Sequence, residues 1–223
     1  ALSIIASRPE WADGIEDVIE EQLGKDEVSD YELRSIRGLL AVFIERPNVQ
    51  VKVSDFLASA SLDQQRTVLL LRAMGNLRGE AWPMKWNDLL RPYLETGKDD
   101  VQLAAIDAVA EARVDSLAGE LDAIVRNRSL NPGARTKAAL ALARLEPPLS
   151  NDAFHMVAGQ LNLESLPLRL EAARAIGGAK LNKPELEQMI AVMPRLEALE
   201  LSAVIGVFAQ SNDAEIGRAL VDA

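Results

Sequence analysis

The sequence predicts an all-α protein, an α-solenoid of about six helical hairpins, and three observations carry that expectation. Ala/Leu-rich helical stretches begin near Asp30, Asp63, Asp99, Asn131, Ser165 and Leu196. Laid over one another, they place Arg34, Arg66, Leu103, Arg135, Arg169 and Glu200 in one column, at intervals of 31 to 37 residues. Three positions on come Leu69, Ile106, Ala138, Ala172 and Ala203, with Arg37 out of type; seven on come Ala41, Ala73, Ala110, Leu142, Ile176 and Val207. Units of this length with two helices each bury their apolar faces against their neighbours and stack. Aromatics are only 4% of the 223 residues and β-branched runs are scarce, so a sheet has little to be built from. Finally, Ala134 to Leu145 and Arg169 to Ile176 mix small alanines with leucine or isoleucine, the composition of helices packed closely on both flanks.

The elements follow in order. Arg8-Pro9-Glu10-Trp11 opens a helix over 8–23, with proline suited to a first turn and glutamate to the positive end of the dipole. After a linker over 24–28, Ser29-Asp-Tyr-Glu32 reads as a capping box that starts a helix over 29–46. Pro47 and Asn48 end it, and a short helix runs to about Ala60. Ser61-Leu-Asp-Gln64 reads as a second capping box, opening a helix over 62–76. An irregular stretch, 78–87, precedes a helix over 87–96 that stops at Gly97. Paired helices follow at 100–112 with 115–127, 132–145 with 150–162, 166–178 with 184–193, and 196–209 with 213–222. Gly177-Gly178 reads as a plain helix end. The whole is expected as one repeat domain over 1–223, with an acidic helix and linker over 1–28 and a right-handed stack over 29–223. A chain beginning at Ala1 is expected to be a fragment or processed product of a larger protein.

The units resemble HEAT-type repeats, particularly the short HEAT-like form D-x-x-V/L-R-x-x-A-A-x-A-L, over residues 30–222. In the third unit leucine stands at 103 in place of the arginine, and in the sixth glutamate stands at 200. The string Leu2-Ser-Ile-Ile-Ala-Ser-Arg-Pro-Glu-Trp11, with Ile15, Ile19 and Leu33-Arg-Ser-Ile-Arg37, resembles one group more closely. These are the large secreted c-type cytochrome and membrane-bound dehydrogenase proteins of planctomycetes and related bacteria. That resemblance implies a neighbouring β-propeller domain, a C-terminal haem domain carrying C-x-x-C-H, and a periplasmic or cell-envelope location. It carries over no catalytic residue, and the chain has no cysteine to attach haem.

Charge and composition narrow the function. The formal net charge is −10, and ten acidic residues between Glu10 and Glu32 face one base, Lys25. Their spacing follows helix geometry rather than a calcium loop, so a solvated acidic face is expected and no metal. The acidic balance lacks the phosphate-neutralising surface that a nucleic-acid-processing HEAT-like enzyme requires. No run of about 18 apolar residues is present to span a membrane. Without cysteine there is no disulfide or thiolate metal site. The single histidine, His155, is followed by Met156, and adjacent residues on a helix cannot ligate opposite faces of one haem iron. No nucleophile elbow, phosphate loop or dinucleotide fingerprint occurs.

Two features remain. Arg34, Arg66, Arg135 and Arg169, each three or four residues after a capping residue, are expected to form a ladder to caps and carbonyls between units; a basic groove is the alternative. Trp82-Pro-Met-Lys-Trp86 sits where the unit lengthens to 37 residues; Trp82 and Trp86 either fill a widened seam or contact a partner. The expected role is a non-enzymatic scaffold or protein-interaction module with no cofactor, set within a larger extracytoplasmic redox protein. Its partners would be another protein or adjoining domains, without nucleic acid or membrane insertion. The alternative is an independent HEAT-repeat protein binding a polypeptide in a concave groove.

Overall fold

A computed structural model describes residues 14–59, 62–77, 81–96, 98–145 and 148–223. Among them the protein is all-helical, and β pairing is limited to an isolated parallel bridge between Pro148 and Lys180. The helices gather into two compact units, Ala1–Arg113 and Val114–Ala223.

The first unit holds α1 (Ile15–Leu23), α2 (Asp30–Phe43), α3 (Pro47–Ala58), α4 (Gln64–Met74), α5 (Lys85–Glu95) and α6 (Asp99–Ala112). Of the helix expected over 8–23, residues 8–13 lie outside the described residues. Ser29 forms the expected capping box with Glu32, and Pro47 takes the first position of α3 rather than only ending α2. The cap of α4 is Asp63, whose carboxylate accepts from Arg66 N at 2.8 Å. Ser61, the expected cap, lies outside the described residues. Arg113 closes α6 in the left-handed region, at φ 56°.

Alternate helices pack: α1 on α3 and α3 on α5, α2 on α4 and α4 on α6. Leu69 and Ile106 are buried, as their columns require, but Arg37 and Ala41 are exposed. The apolar face of α2 is instead made by Ile36, Leu39, Leu40 and Phe43. The first repeat is therefore displaced by one residue: Ile36 and Leu40 hold the apolar columns, and Arg34 lies outside the arginine column.

The second unit begins with a 3₁₀ turn, Asp115–Leu117, and continues through α7 (Ala118–Arg126), α8 (Pro132–Leu145), α9 (Asn151–Gln160), α10 (Leu166–Gly178) and α11 (Lys183–Val192). A 3₁₀ turn at Met193–Arg195 leads to α12 (Ala198–Val204), a 3₁₀ segment at Ile205–Gln210, and α13 (Ala214–Asp222). The single helix expected over 196–209 is thus split, where the β-branched residues Val204, Ile205 and Val207 surround Gly206 and weaken the α-helix. Helix α8 packs on α7 and α10, α10 on α12, and α11 on α13. Gly177 is more than a helix end: a Cβ there would stand 2.0 Å from the backbone oxygen of Ala203, so α10 and α12 meet backbone to backbone.

Bonds between elements recur at the repeat distance. Lys52 pairs with Glu20, and the Trp86 indole N–H donates to Ser54 Oγ, each across 32 residues. Gln64 bonds Asp100 across 36, Arg169 bonds Glu200 across 31, and Lys183 bonds Glu215 across 32.

Candidate functional site

Trp82 and Trp86 are built into the first unit. Trp86 is fully buried, and its Nε1 donates to Ser54 Oγ of α3 at 2.8 Å. Trp82 packs edge-on against it, ring centroids 5.2 Å apart, and donates to Asn87 Oδ1 at 2.9 Å. Both polar handles are satisfied, which is what buried indoles require. Trp86 is 0% exposed and Trp82 9%.

The arginine column closes carbonyl groups at or shortly past helix ends, where the last turn leaves them without intrahelical partners. Arg66 is 7% exposed; it donates to Leu23 O and Lys25 O at 2.8 and 2.6 Å and pairs with Asp63 at 2.8 Å. Arg135 Nε donates to Val125 O at 2.9 Å. Arg169 reaches Leu163 O, Glu164 O, Glu197 and Glu200. In the third repeat, where Leu103 replaces the arginine, the buried Gln102 does this work and donates to Leu94 O at 2.7 Å. Arg34, by contrast, is exposed and outside this ladder.

With the register of α2 displaced, Arg34 and Arg37 come to one outward face of that helix. They join Arg72 of α4 along a furrow across α2, α4 and α6. One hollow of 330 Å³ is lined by Asp30, Arg34, Arg37, Gln65 and Arg72. A second, of 340 Å³, shares Arg37 and Arg72 and extends to Asn76, Asp107 and Glu111. Leu69 floors both. Gly75 lets α4 approach α6 there, since a Cβ would stand 3.2 Å from Ala108 Cα. Among the described residues, Arg34, Arg37 and Arg72 have no hydrogen-bonded or ion-paired partner. The signal for this site was Arg37 itself, an arginine standing in an apolar column.

A separate cleft of 480 Å³, lined by Leu57, Thr67, Leu89, Pro92, Tyr93 and Val101 among others, lies beside α3 and α5. Burial raises the Tyr93 phenol above its ordinary range, and its O–H donates to Leu57 O. Hydroxyls elsewhere serve the fold: Ser29 and Ser150 cap helices, and Thr67 and Thr136 donate to carbonyls four residues back. His155 is exposed, its ring tilted against Phe154 at 5.6 Å. Among the described residues no group of three or more His, Asp or Glu is placed to hold a metal ion, and no helix is long and apolar enough to cross a membrane.

Comparison with known proteins finds no matching family model, no matching curated protein and no matching solved structure.

Proposed function

We propose that this chain is an α-solenoid of about six HEAT-like hairpins that works as a protein-interaction module, taking an acidic polypeptide segment along the α2–α4–α6 furrow. The observation that carries the reading is three exposed arginines, Arg34, Arg37 and Arg72, left unpaired on one face of a chain with net charge −10. The furrow's lining also holds Asp30, Asp107 and Glu111, so the three arginines stand as guanidinium forks among carboxylates. Guanidinium forks recognise carboxylates in two-point contacts, which suits an acidic segment laid along these helices. Three charges are too few to compete for the phosphate backbone of nucleic acid at physiological salt. The repeat reading rests on the alternate packing of helices within each unit and on bonds recurring at 31 to 36 residues.

The test is binding of a fluorescein-labelled, glutamate-rich peptide, followed by anisotropy. Arg37→Glu with Arg72→Glu should weaken binding at least about tenfold while the melting temperature stays put. Equal binding by the charge-reversed protein would sink the reading.

The setting of the module is proposed from the resemblance of residues 2–37 to the extracytoplasmic c-type cytochrome and dehydrogenase proteins. In that setting the acidic partner is an adjoining or associated redox domain. Sequencing the surrounding reading frame tests it: a C-x-x-C-H downstream or a propeller upstream supports the setting. Their absence leaves an independent interaction protein.

A further inference from the structure

We propose that the second unit holds a binding site for a phosphate-type oxyanion between α7, α8 and α9. The site is a 280 Å³ hollow lined by Arg126, Arg128, Arg135, Asp152, His155 and Met156. Three guanidinia and an imidazole thus converge on one small space, against the single carboxylate of Asp152 in its lining. Arg126 is answered at the rim by Asp122, at 2.8 Å. Arg128 is exposed and has no partner among the described residues.

Comparison of Arg135 with its column mates shows what is missing. Arg66 has Asp63, and Arg169 has Glu197 and Glu200. Arg135 follows Asn131, a neutral cap whose Oδ1 accepts from Ala134 N at 2.8 Å. Its Nε is taken by Val125 O, and among the described residues its other N–H groups have no partner. Burial and the neighbouring Arg128 both push its guanidinium below the ordinary arginine range. With Asp152 the single carboxylate in the lining, the neighbouring guanidinia of Arg128 and Arg135 are relieved by a bound anion, and a tetrahedral dianion accepts from both forks at once. The hollow is large enough for a phosphate group and small enough to exclude a folded partner. It shares no residue with the furrow, so neither proposal depends on the other.

The single histidine of the chain gives the readout. The probes are inorganic phosphate and glycerol 3-phosphate, titrated at constant ionic strength while the His155 Hε1 proton resonance is followed. The site requires a saturable shift at millimolar probe, absent with chloride. The tighter probe identifies the source of the group, free phosphate or a phosphomonoester. Arg128→Ala should weaken binding about tenfold, the loss of one charge-assisted contact, with unchanged thermal melting. Arg144→Ala, an exposed arginine elsewhere on α8, should leave binding alone. The proposal is overturned by a shift that never saturates, by an equal shift with chloride, or by Arg128→Ala binding as wild type.

Discussion

Arg169 and Glu200 occupy the same column position in successive repeats, and they are bonded to each other: Arg169 Nε donates to Glu200 Oε1 at 2.5 Å. Glu200 is 1% exposed, and its other oxygen accepts from Glu197 N at 2.7 Å, so the carboxylate is satisfied on both sides. The glutamate that breaks the arginine column is the counter-charge of the arginine before it. Removing Arg169 leaves the buried Glu200 carboxylate with the Glu197 N–H alone, and removing Glu200 leaves Arg169 with Glu197 and two carbonyls. Arg169→Ala and Glu200→Ala should each lower the melting temperature, and the double mutant should lose less than the two singles together. Glu200→Arg, which restores the column's usual residue, should be the worst of the series because it opposes two guanidinia. Additive losses in the double-mutant cycle would show that the two side chains are not coupled.

Acid should weaken the protein, and the carboxylates involved are identifiable. Bonds from Lys25 and Ser29 hold Glu32 down to about 2, from an ordinary 4.5. Glu200 is lowered chiefly by Arg169, and Asp213 chiefly by Lys183. A folded-state value below the unfolded one means stability that is complete above the unfolded value and lost as pH falls through the folded one. Melting temperature should therefore hold from neutrality down to about pH 5 and fall between roughly pH 4.5 and 2. Lys183, raised by Asp213 and Glu215, contributes in the other direction, losing its share only as pH climbs past 10.5. Glu200→Gln should flatten the acid limb in circular-dichroism melts; parallel curves for mutant and wild type would remove Glu200 from the explanation.

Gly177 and Gly178 are adjacent, yet alanine should act oppositely at the two. At Gly177 the added Cβ would stand 2.0 Å from a backbone oxygen that cannot swing aside, so α10 and α12 must separate. The expected loss is about 3 kcal/mol, the upper end for overpacking. At Gly178 the nearest atom is the Ala143 Cβ at 3.4 Å, an ordinary contact. Gly178→Ala should be neutral or stabilise by up to about 1 kcal/mol through helix propensity. Urea titration of both separates the close-approach account from a simple helix end, which would tolerate either change.

How far the sequence carried depends on what each residue answers to. Helix positions were legible because caps and prolines act locally: Ser29 with Glu32 and Pro47 are recognisable within four residues. The role of the arginine column was legible for Arg66, Arg135 and Arg169 because a cap precedes each. Its continuation through Gln102 was not, since the carbonyl at Leu94 is met from a neighbouring position. Glu200 looked like a departure because its partner lies 31 residues away. The furrow has one signal in the sequence, Arg37 in an apolar column, and the rest of it is set by packing. A one-residue displacement in α2 turns Arg34 and Arg37 outward, and only the burial of Ile36 and Leu40 reveals the displacement. The hollow at His155 depends on three elements meeting, which no linear spacing encodes.

Arg66 and Arg34 were expected to be equivalent, and their environments now predict different outcomes. Arg66 closes Leu23 O and Lys25 O from a buried position, so Arg66→Ala leaves those carbonyls and the Asp63 carboxylate without it. A loss of about 1–3 kcal/mol is expected, the range for charge-assisted bonds of this kind. Arg34→Ala, on an exposed face, should shift the urea midpoint hardly at all. Equal losses for both would restore Arg34 to the ladder and undo the displaced register of α2.

The tryptophan pair offers the sharpest optical test of the first unit. Trp86 fills the space between α3 and α5, held by Ser54 and by the edge of Trp82. Trp86→Ala should cost about 3–5 kcal/mol, as large aromatic truncations in packed cores do. Trp82→Ala removes the edge contact and the hydrogen bond to Asn87 Oδ1, so it should also destabilise, though by less because Trp82 is 9% exposed. Emission in a Trp11→Phe background, which isolates this pair, should be blue-shifted and resist iodide. The polar handles give a finer discrimination. Ser54→Ala removes the acceptor of the Trp86 N–H together with the Ser54 O–H bond to Gln50 O, so it should leave the emission blue-shifted and cost about 1–3 kcal/mol. Ready quenching of both indoles by iodide, with alanine tolerated at either position, would mean that this face is open and would return Trp82 and Trp86 to the list of partner contacts.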